Sequence, residues 1–444
     1  MGPSGRRVVV VGGGLTGALA AVRLHEAGHL VSLYERRDDL RRNHDHEGRS
    51  INLALSTRGL DALDRIGLSE ALRERGIPMR GRALHGRDGS VTFQPYSADP
   101  RNVLLSVSRD DLNSTLLDAV DQRGVTTLFD HRLVDIELRS CHAVFESGGS
   151  EVRAQFDVLI GADGAYSAVR NRLQRTDRFS YEQTFLEHGY KELTIPARGD
   201  GGFAMEPNAL HIWPRGSHMM IALPNSDGSF TCTLFWPYGG PIGFERVDTA
   251  REVNETFVEQ FPDAISLMPQ LEEEYLRNHT SSLVTIRCGP WFLDDRIVLL
   301  GDAAHAVVPF YGQGANAALE DVTIFMDLLA AHDGDWGRTM ATFYELRKPD
   351  ADALADLALD NFVEMRDRVS SPLFRLRVRA EQRAHRWVPR WVTPLYEMVT
   401  FSRMPYVEAV ARARRQTRLI DRLLLALALL LLVFIAAAIV LLVV

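Results

Sequence analysis

The chain of 444 residues is poor in two residue types: its lysines are Lys191 and Lys348 alone, and its cysteines are Cys141, Cys232 and Cys288. Three thiols so far apart exclude a disulfide scaffold, and no CxxC pair offers zinc or redox chemistry, so a reducing, cytosol-facing setting is expected. No GxSxG or HExxH is present, which argues against a serine nucleophile elbow and against a helical zinc protease site. A basic excess is also missing. With 50 Lys+Arg against 58 Asp+Glu the net charge is −8, the wrong sign for a protein built mainly to grip nucleic acid. Repeats and low-complexity linkers are not evident, and the apolar run Val8–Val11 is too short for a secretory signal. What remains is an ordinary globular composition, 46% hydrophobic and 24% charged. His44-Asp45-His46-Glu47 lies among arginines and reads as a solvated loop, so no metal is expected.

The one long hydrophobic run is at the end. Leu423–Val444, 22 residues, carries no polar side chain. As a helix it would measure about 33 Å at about 1.5 Å per residue, against a bilayer core of about 30 Å. Arg412, Arg414, Arg415, Arg418 and Arg422 precede it, which by the positive-inside rule holds the head on the cytoplasmic side. A single-pass tail anchor is therefore expected, in a bacterial inner membrane or a mitochondrial outer membrane.

Near the start, Val8–Val11 reads as a strand buried on both faces. Gly12-Gly13-Gly14-Leu15-Thr16-Gly17 follows, then an apolar helical pattern to Gly28, then a second strand, Leu30–Tyr34, ending at Glu35. This is a βαβ unit with glycines at 12, 14 and 17 and an acid about 20 residues further on, the dinucleotide fingerprint. Gly12 allows the tight turn, Gly14 the approach of a pyrophosphate and Gly17 close packing of helix on strand. Glu35 can accept ribose hydroxyls. The fingerprint alone leaves FAD and NAD open.

Two later segments bear on that choice. Phe156–Ile160 is a strand entering Gly161-Ala162-Asp163-Gly164. Asp295–Leu300 is another, ending in Gly301-Asp302-Ala303-Ala304-His305, and Pro309-Phe310-Tyr311-Gly312-Gln313-Gly314-Ala315-Asn316 then opens a long helix. A glycine-rich turn feeding a helix N-terminus offers free N–H groups and partial positive charge, suited to an anionic group. His305 reads as a packed, satisfied side chain rather than an acid or base.

In this order these segments resemble the group A flavoprotein monooxygenases, the single-component aromatic hydroxylases. Longer stretches, Arg49–Ser56, Leu105–Asn113, Gly189–Leu193, His211–Gly216, Ile221–Asn225, Phe230–Phe235 and Asn361–Asp367, are similar to the kynurenine 3-monooxygenase family within that group, from about Val8 to Tyr406. The resemblance implies an α/β fold. A Rossmann-like FAD-binding domain would be built from 1–80, 100–180 and 285–335, with a β-sheet substrate domain from 81–99 and 181–284. A helical lid, 336–422, and the transmembrane helix, 423–444, would complete it. FAD would be the cofactor, held by Gly12, Gly14, Leu15, Thr16, Gly17, Glu35, Arg36, Ala54, Arg109, Asp163, Gly301, Asp302, Gly314, Ala315 and Asn316. NADPH would be the co-substrate.

The implied reaction is hydroxylation of L-kynurenine to 3-hydroxy-L-kynurenine with O2, through a flavin C4a-hydroperoxide, as a step of tryptophan catabolism. The cofactor carries the chemistry, so no side chain is expected as nucleophile; Gln313 and Tyr311 would lie near the flavin and the substrate ring. Matched by position, Arg82 would clamp the substrate carboxylate with Tyr96, while Asn361 and Tyr396 come from the C-terminal region. A guanidinium fork meets two carboxylate oxygens with fixed geometry. The apolar slot would comprise Met219, Ile221 and Leu223, alternating on one strand face, with Leu210, Phe235, Pro309, Phe310 and Met365. The rival expectation is another group A hydroxylase acting on a phenol or quinone precursor, which has no need of Arg82 with Tyr96.

Overall fold

A computed structural model describes residues 5–42, 52–240, 242–363 and 393–443, the side chains of 423–425, 427–428 and 431–443 excepted. Met365 and the His44–Glu47 run fall outside the described residues.

Val8–Val11 is buried throughout, as a β-branched run covered on both faces should be, each valine contributing about 1.5–3 kcal/mol by burial. Arg7–Val11 is the centre of a six-stranded sheet. It pairs in parallel with Leu30–Tyr34 on one side and with Val158–Gly161 on the other. Thr126–Leu128 and Ile297–Leu299 extend the parallel array outward, and Phe292–Leu293 closes one edge antiparallel. Helix Leu15–Glu26 buries nine of its twelve residues and packs against strands Arg7–Val11 and Leu30–Tyr34, with Gly314–Ala331 beside it. Because the strands are parallel, all their C-terminal ends open on one edge, where ligands of doubly wound sheets bind.

The second layer is a seven-stranded sheet in the order Ser281–Gly289, Ser180–Ile195, Phe230–Pro237, Met219–Pro224, Ala209–Pro214, Gly81–His85, Val91–Pro95. Its strands are antiparallel except where Gly81–His85 runs parallel to Ala209–Pro214. Period-two alternation divides this sheet cleanly. Met220, Ala222, Cys232 and Leu234 join a core with Val253, Phe257 and Tyr275 from the outer helices, while Met219 and Phe235 face Phe310 and Phe362. Ser281–Gly289 crosses the boundary expected at 284/285 and belongs to this sheet along its whole length.

The C-terminal part contains the helix Trp336–Val363, the short helix Leu395–Thr400 and the long helix Tyr406–Val443. The transmembrane anchor expected at 423–444, and with it the membrane location, is corrected here: among the described residues no helix is long and apolar enough to cross a membrane. The sequence run also does not stand as a separate element. The helix that contains it begins at Tyr406, which is fully buried in the head, and its next turns carry Arg412, Arg414, Arg415, Arg418 and Arg422.

Candidate active site

Four strand ends converge at the open edge of the parallel sheet: Val11 leads to Gly12, Tyr34 to Glu35, Gly161 to Asp163, and Leu299 to Gly301 and Asp302. Gly12 sits at φ +104°, and a Cβ there would lie 2.5 Å from the Ala162 carbonyl oxygen. At Gly17 a Cβ would meet the Gly12 carbonyl oxygen at 1.9 Å, so the helix and turn touch backbone to backbone. Gly14 is different: nothing lies within 4 Å of a Cβ built there, and as N-cap of helix Leu15–Glu26 it makes no side-chain capping bond. A helix N-terminus facing open space, with amides uncapped by side chains, suits a pyrophosphate. The residues present thus fit FAD.

Several expected cofactor residues turn out to hold the crevice itself. Glu35 Oε2 accepts from the Gly13 amide at 2.7 Å, while Oε1 accepts from the Arg37 amide and Nε. Asp163 accepts from Ser167 Oγ at 2.5 Å and from the amides of Ala168 and Val169, capping helix Ala168–Leu173. Burial pushes its carboxyl up, against those bonds. Asn316 ties the glycine-rich turn down: Nδ2 donates to the carbonyls of Ala54 and Gly312, and Oδ1 accepts from the Ser56 amide at 2.8 Å. Gln313 is buried, and its Oε1 accepts from Ser56 Oγ and the Tyr406 hydroxyl. Asp302, at the start of the short helix Asp302–His305, has no hydrogen bond or ion pair among the described residues and is available to a ligand. Thr16 lies against Gly301, where a Cβ would come 2.6 Å from its Oγ1. Leu15 is buried in the first turn, whereas Arg36 and Arg109 are exposed. Gly314 and Ala315, half-buried, open helix Gly314–Ala331.

The expected substrate residues gather between the seven-stranded sheet and the C-terminal segment. Hairpin register sets Arg82 opposite Gln94, and the Tyr96 amide donates to the Arg80 carbonyl, so Arg82 and Tyr96 share one end of that hairpin. The ring of Tyr396 stacks on Tyr96 at 5.3 Å between centroids, and the Arg82 guanidinium lies 4.6 Å from the Tyr396 ring. Burial pushes both phenols up, which keeps them neutral donors at pH 7. Arg82 Nε and the Tyr96 hydroxyl are buried with no hydrogen-bond partner among the described residues, and no carboxylate there pairs with Arg82. A guanidinium that cannot shed its proton, buried without a carboxylate partner among the described residues, suits an incoming anion.

Beside this charge runs an apolar slot. Leu210 pairs with Arg82 across the parallel strands, and Ile221 and Leu223 join Tyr96, Tyr396 and Phe401 in one cluster. Met219 and Phe235 continue it to Phe310, whose ring is 5.0 Å from Phe235 and 4.3 Å from Phe362. Asn361 Nδ2 donates to the Phe310 carbonyl at 2.6 Å, fixing the segment that precedes the glycine-rich turn. Tyr311 lies 5.8 Å from Tyr396, ring to ring, and Pro309 is exposed. These apolar side chains therefore run from the Arg82 end of the sheet to the segment before the glycine-rich turn.

Beneath the turn lies a buried ionic cluster that sequence reasoning did not find. Arg58 Nη1 meets Glu320 Oε1 at 2.6 Å, and Arg347 contacts Glu320, Asp321 and Asp350 at 3.2, 2.9 and 2.8 Å. His305 Nε2 bonds Asp321 Oδ2 at 2.5 Å. Burial opposes charge on His305, yet Asp321 outweighs it and holds the imidazole above its usual range. The available signal was the pair Glu320-Asp321 in the middle of the apolar helix Gly314–Ala331. Among the described residues no group of three or more His, Cys, Asp or Glu could hold a metal ion.

Residues 6–358 match a family model described as "FAD binding domain". The chain is 45% identical over 421 residues to a kynurenine 3-monooxygenase of Salinispora arenicola, covering 94% of this chain and 92% of that one. It is 42% identical to the enzyme of that name from Flavobacterium johnsoniae, with 94% of each chain covered, and 41% identical to that of Dictyostelium discoideum, with 90% and 89% covered. Among solved structures it is similar to 2-methyl-3-hydroxypyridine-5-carboxylic acid oxygenase, with a TM-score of 0.67, 20% identity, and 83% and 94% of the two chains covered. Pseudomonas aeruginosa PqsL in complex with 2-aminobenzoylacetate gives a TM-score of 0.65 at 22% identity, with 82% and 97% covered. These two likenesses concern the fold.

Proposed function

The chain belongs to the kynurenine 3-monooxygenase family of FAD-dependent hydroxylases, and from that premise we propose that it converts L-kynurenine to 3-hydroxy-L-kynurenine with NADPH and O2. FAD, when bound, would supply the redox chemistry by which two electrons from NADPH reduce O2, one oxygen atom replacing hydrogen at the electron-rich ring carbon ortho to the amine as a hydroxyl and the other leaving as water. The protein's work is placement and exclusion of water. Arg82 binds the amino-acid carboxylate, with the hydroxyls of Tyr96 and Tyr396 as neutral donors. Met219, Ile221, Leu223, Leu210, Phe235 and Phe310 enclose the ring, and Asn361 holds Phe310 in its place. A substrate so oriented presents one carbon to the flavin turn, which is the gain from fixed geometry. No side chain is assigned as nucleophile or general base.

The observation that carries this reading is the buried guanidinium of Arg82 under two tyrosines, its Nε without a partner and no carboxylate paired with it among the described residues. A hydroxylase for a simple phenol would have no counter-ion for it. The test is an assay with L-kynurenine, NADPH and air, read for 3-hydroxykynurenine by mass spectrometry. NADPH oxidation stimulated by a hydroxybenzoate or a polyprenyl phenol, with no response to L-kynurenine, would sink the proposal.

A further inference from the structure

Tyr396 and Phe401 reach the substrate site from a segment, 395–404, far along the chain from the sheet they cover; at the surface Arg403 pairs with Asp61 at 3.0 Å, and below, one buried side chain holds the segment at two points. Arg58 is 1% exposed. Its Nε donates to the Val399 carbonyl at 3.3 Å, its Nη2 donates to the Met404 carbonyl, and its Nη1 pairs with Glu320 at 2.6 Å. Val399 lies in the last turn of the helix Leu395–Thr400 that carries Tyr396; Met404 lies just before the long helix that starts at Tyr406. One planar guanidinium therefore ties both ends of the turn to helix Gly314–Ala331, whose first residues form the flavin turn. The Tyr406 ring covers it at 4.1 Å. Asp350 adds a further tie, its Oδ1 accepting from the Val407 amide at 2.9 Å. The charges balance: Arg58, Arg347 and His305 face Glu320, Asp321 and Asp350.

We propose that Arg58 is a positioning residue for the hydroxylation, seating the 395–404 segment so that Tyr396 and Phe401 close the substrate site over Arg82. It touches neither the clamp nor the slot and acts through Val399 and Met404. The inference rests on the function proposed above for its kinetic consequences, but not for the seating itself. Without this tie the roof over the clamp lifts, carboxylate binding weakens, and water reaches the flavin, so that reducing equivalents from NADPH leave as H2O2 rather than in hydroxylated product.

The test is the double variant Arg58→Met/Glu320→Gln, which removes one charge of each sign and leaves Arg347 and His305 against Asp321 and Asp350. Bound FAD per chain is expected to stay at the wild-type level. KM for L-kynurenine is expected to rise about tenfold or more, within the roughly hundredfold that a displaced group remote from the chemistry can cause. The share of NADPH recovered as H2O2 should increase, and the Met398, Phe401 and Val407 amides should exchange faster with deuterium. Unchanged exchange at these amides overturns the proposal, and so does faster exchange with unchanged KM and coupling. If the double variant does not fold, Arg58→Lys gives the same readouts, since an ammonium keeps the charge but cannot reach Glu320 and two carbonyls in one plane. A wild-type enzyme that does not hydroxylate L-kynurenine would refute the function proposed above. The exchange measurement would still decide the role of Arg58.

Discussion

Arg82→Met should weaken substrate binding strongly while leaving the substrate-free protein as stable as before, or more so. The two effects have one cause. In the free enzyme the guanidinium has a buried Nε without a partner and no carboxylate within reach among the described residues, so its charge is uncompensated. Replacing such a group by an apolar side chain of similar length is commonly neutral or stabilising. In the complex the same charge would be paired, and truncating one member of a buried charged pair costs about 2–5 kcal/mol. At about 1.4 kcal/mol per tenfold, KM for L-kynurenine should rise roughly 30- to 4000-fold. Because the carboxylate is remote from the ring carbon that reacts, kcat should change far less. The assay is steady-state NADPH oxidation with product quantified, beside a thermal melt of the substrate-free protein. The decarboxylated amine analogue of L-kynurenine is the control, since it has no anion for Arg82 and should not respond to the substitution. A wild-type KM in Arg82→Met, or an equal loss with the decarboxylated analogue, would refute the clamp.

Gly17→Ala forces a Cβ to 1.9 Å from the Gly12 carbonyl oxygen and should lower Tm even without FAD, whereas Gly14→Ala, with nothing within 4 Å, should keep Tm and lose FAD affinity; equal melts and equal flavin absorbance for the two would contradict this. The Glu192 carboxyl is pushed up to about 7, first by burial and then by Asp110. A folded pKa above the ordinary 4.5 means stability that is fully present below that value and lost as pH rises through about 7. Glu192→Gln should therefore flatten the decline of Tm between pH 4.5 and 7. Deleting 423–444 should leave FAD content and KM unchanged, because the described apolar contacts of the last helix with the head end by Ala413; loss of turnover in a folded, FAD-bound truncation would show that the tail supports the site.

Local pattern carried the flavin half of the molecule. Val8–Val11, the three spaced glycines and Glu35 lie within one βαβ unit, where residues close in sequence are close in space, and the same holds for Asp163 and the turn at 312–316. What those side chains do was less legible. Asn316 and Asp163 are occupied with holding turns, a fact decided by carbonyls and amides that no spacing reveals. The grouping of Arg82 with Tyr96 and Tyr396 was legible only through family resemblance, since a lone Arg82 in Met79–Arg82 has no local mark of burial. Arg58 shows the limit: its partners Glu320, Val399 and Met404 are 262, 341 and 346 positions away. The expected anchor failed differently. A count of apolar residues at 423–444 treated that run as an element, while the helix containing it starts seventeen residues earlier, at Tyr406, and is fixed by the packing of that tyrosine.

The parallel pairing of Gly81–His85 with Ala209–Pro214 bears on how the protein is made. Between these two neighbouring strands the chain leaves the substrate sheet, contributes Val158–Gly161 to the flavin sheet, and returns. The flavin sheet in turn waits for Ile297–Leu299, which follows every strand of the substrate sheet. On the ribosome neither layer can be completed before roughly two thirds of the chain has emerged, so unpaired strand edges stay exposed for much of synthesis, a setting that favours chaperone dependence and aggregation on overexpression. It also means that no cut in the gene yields a flavin domain or a substrate domain able to fold alone. Complementation by fragments split anywhere between His85 and Ser281 would have to recombine strands within both sheets at once.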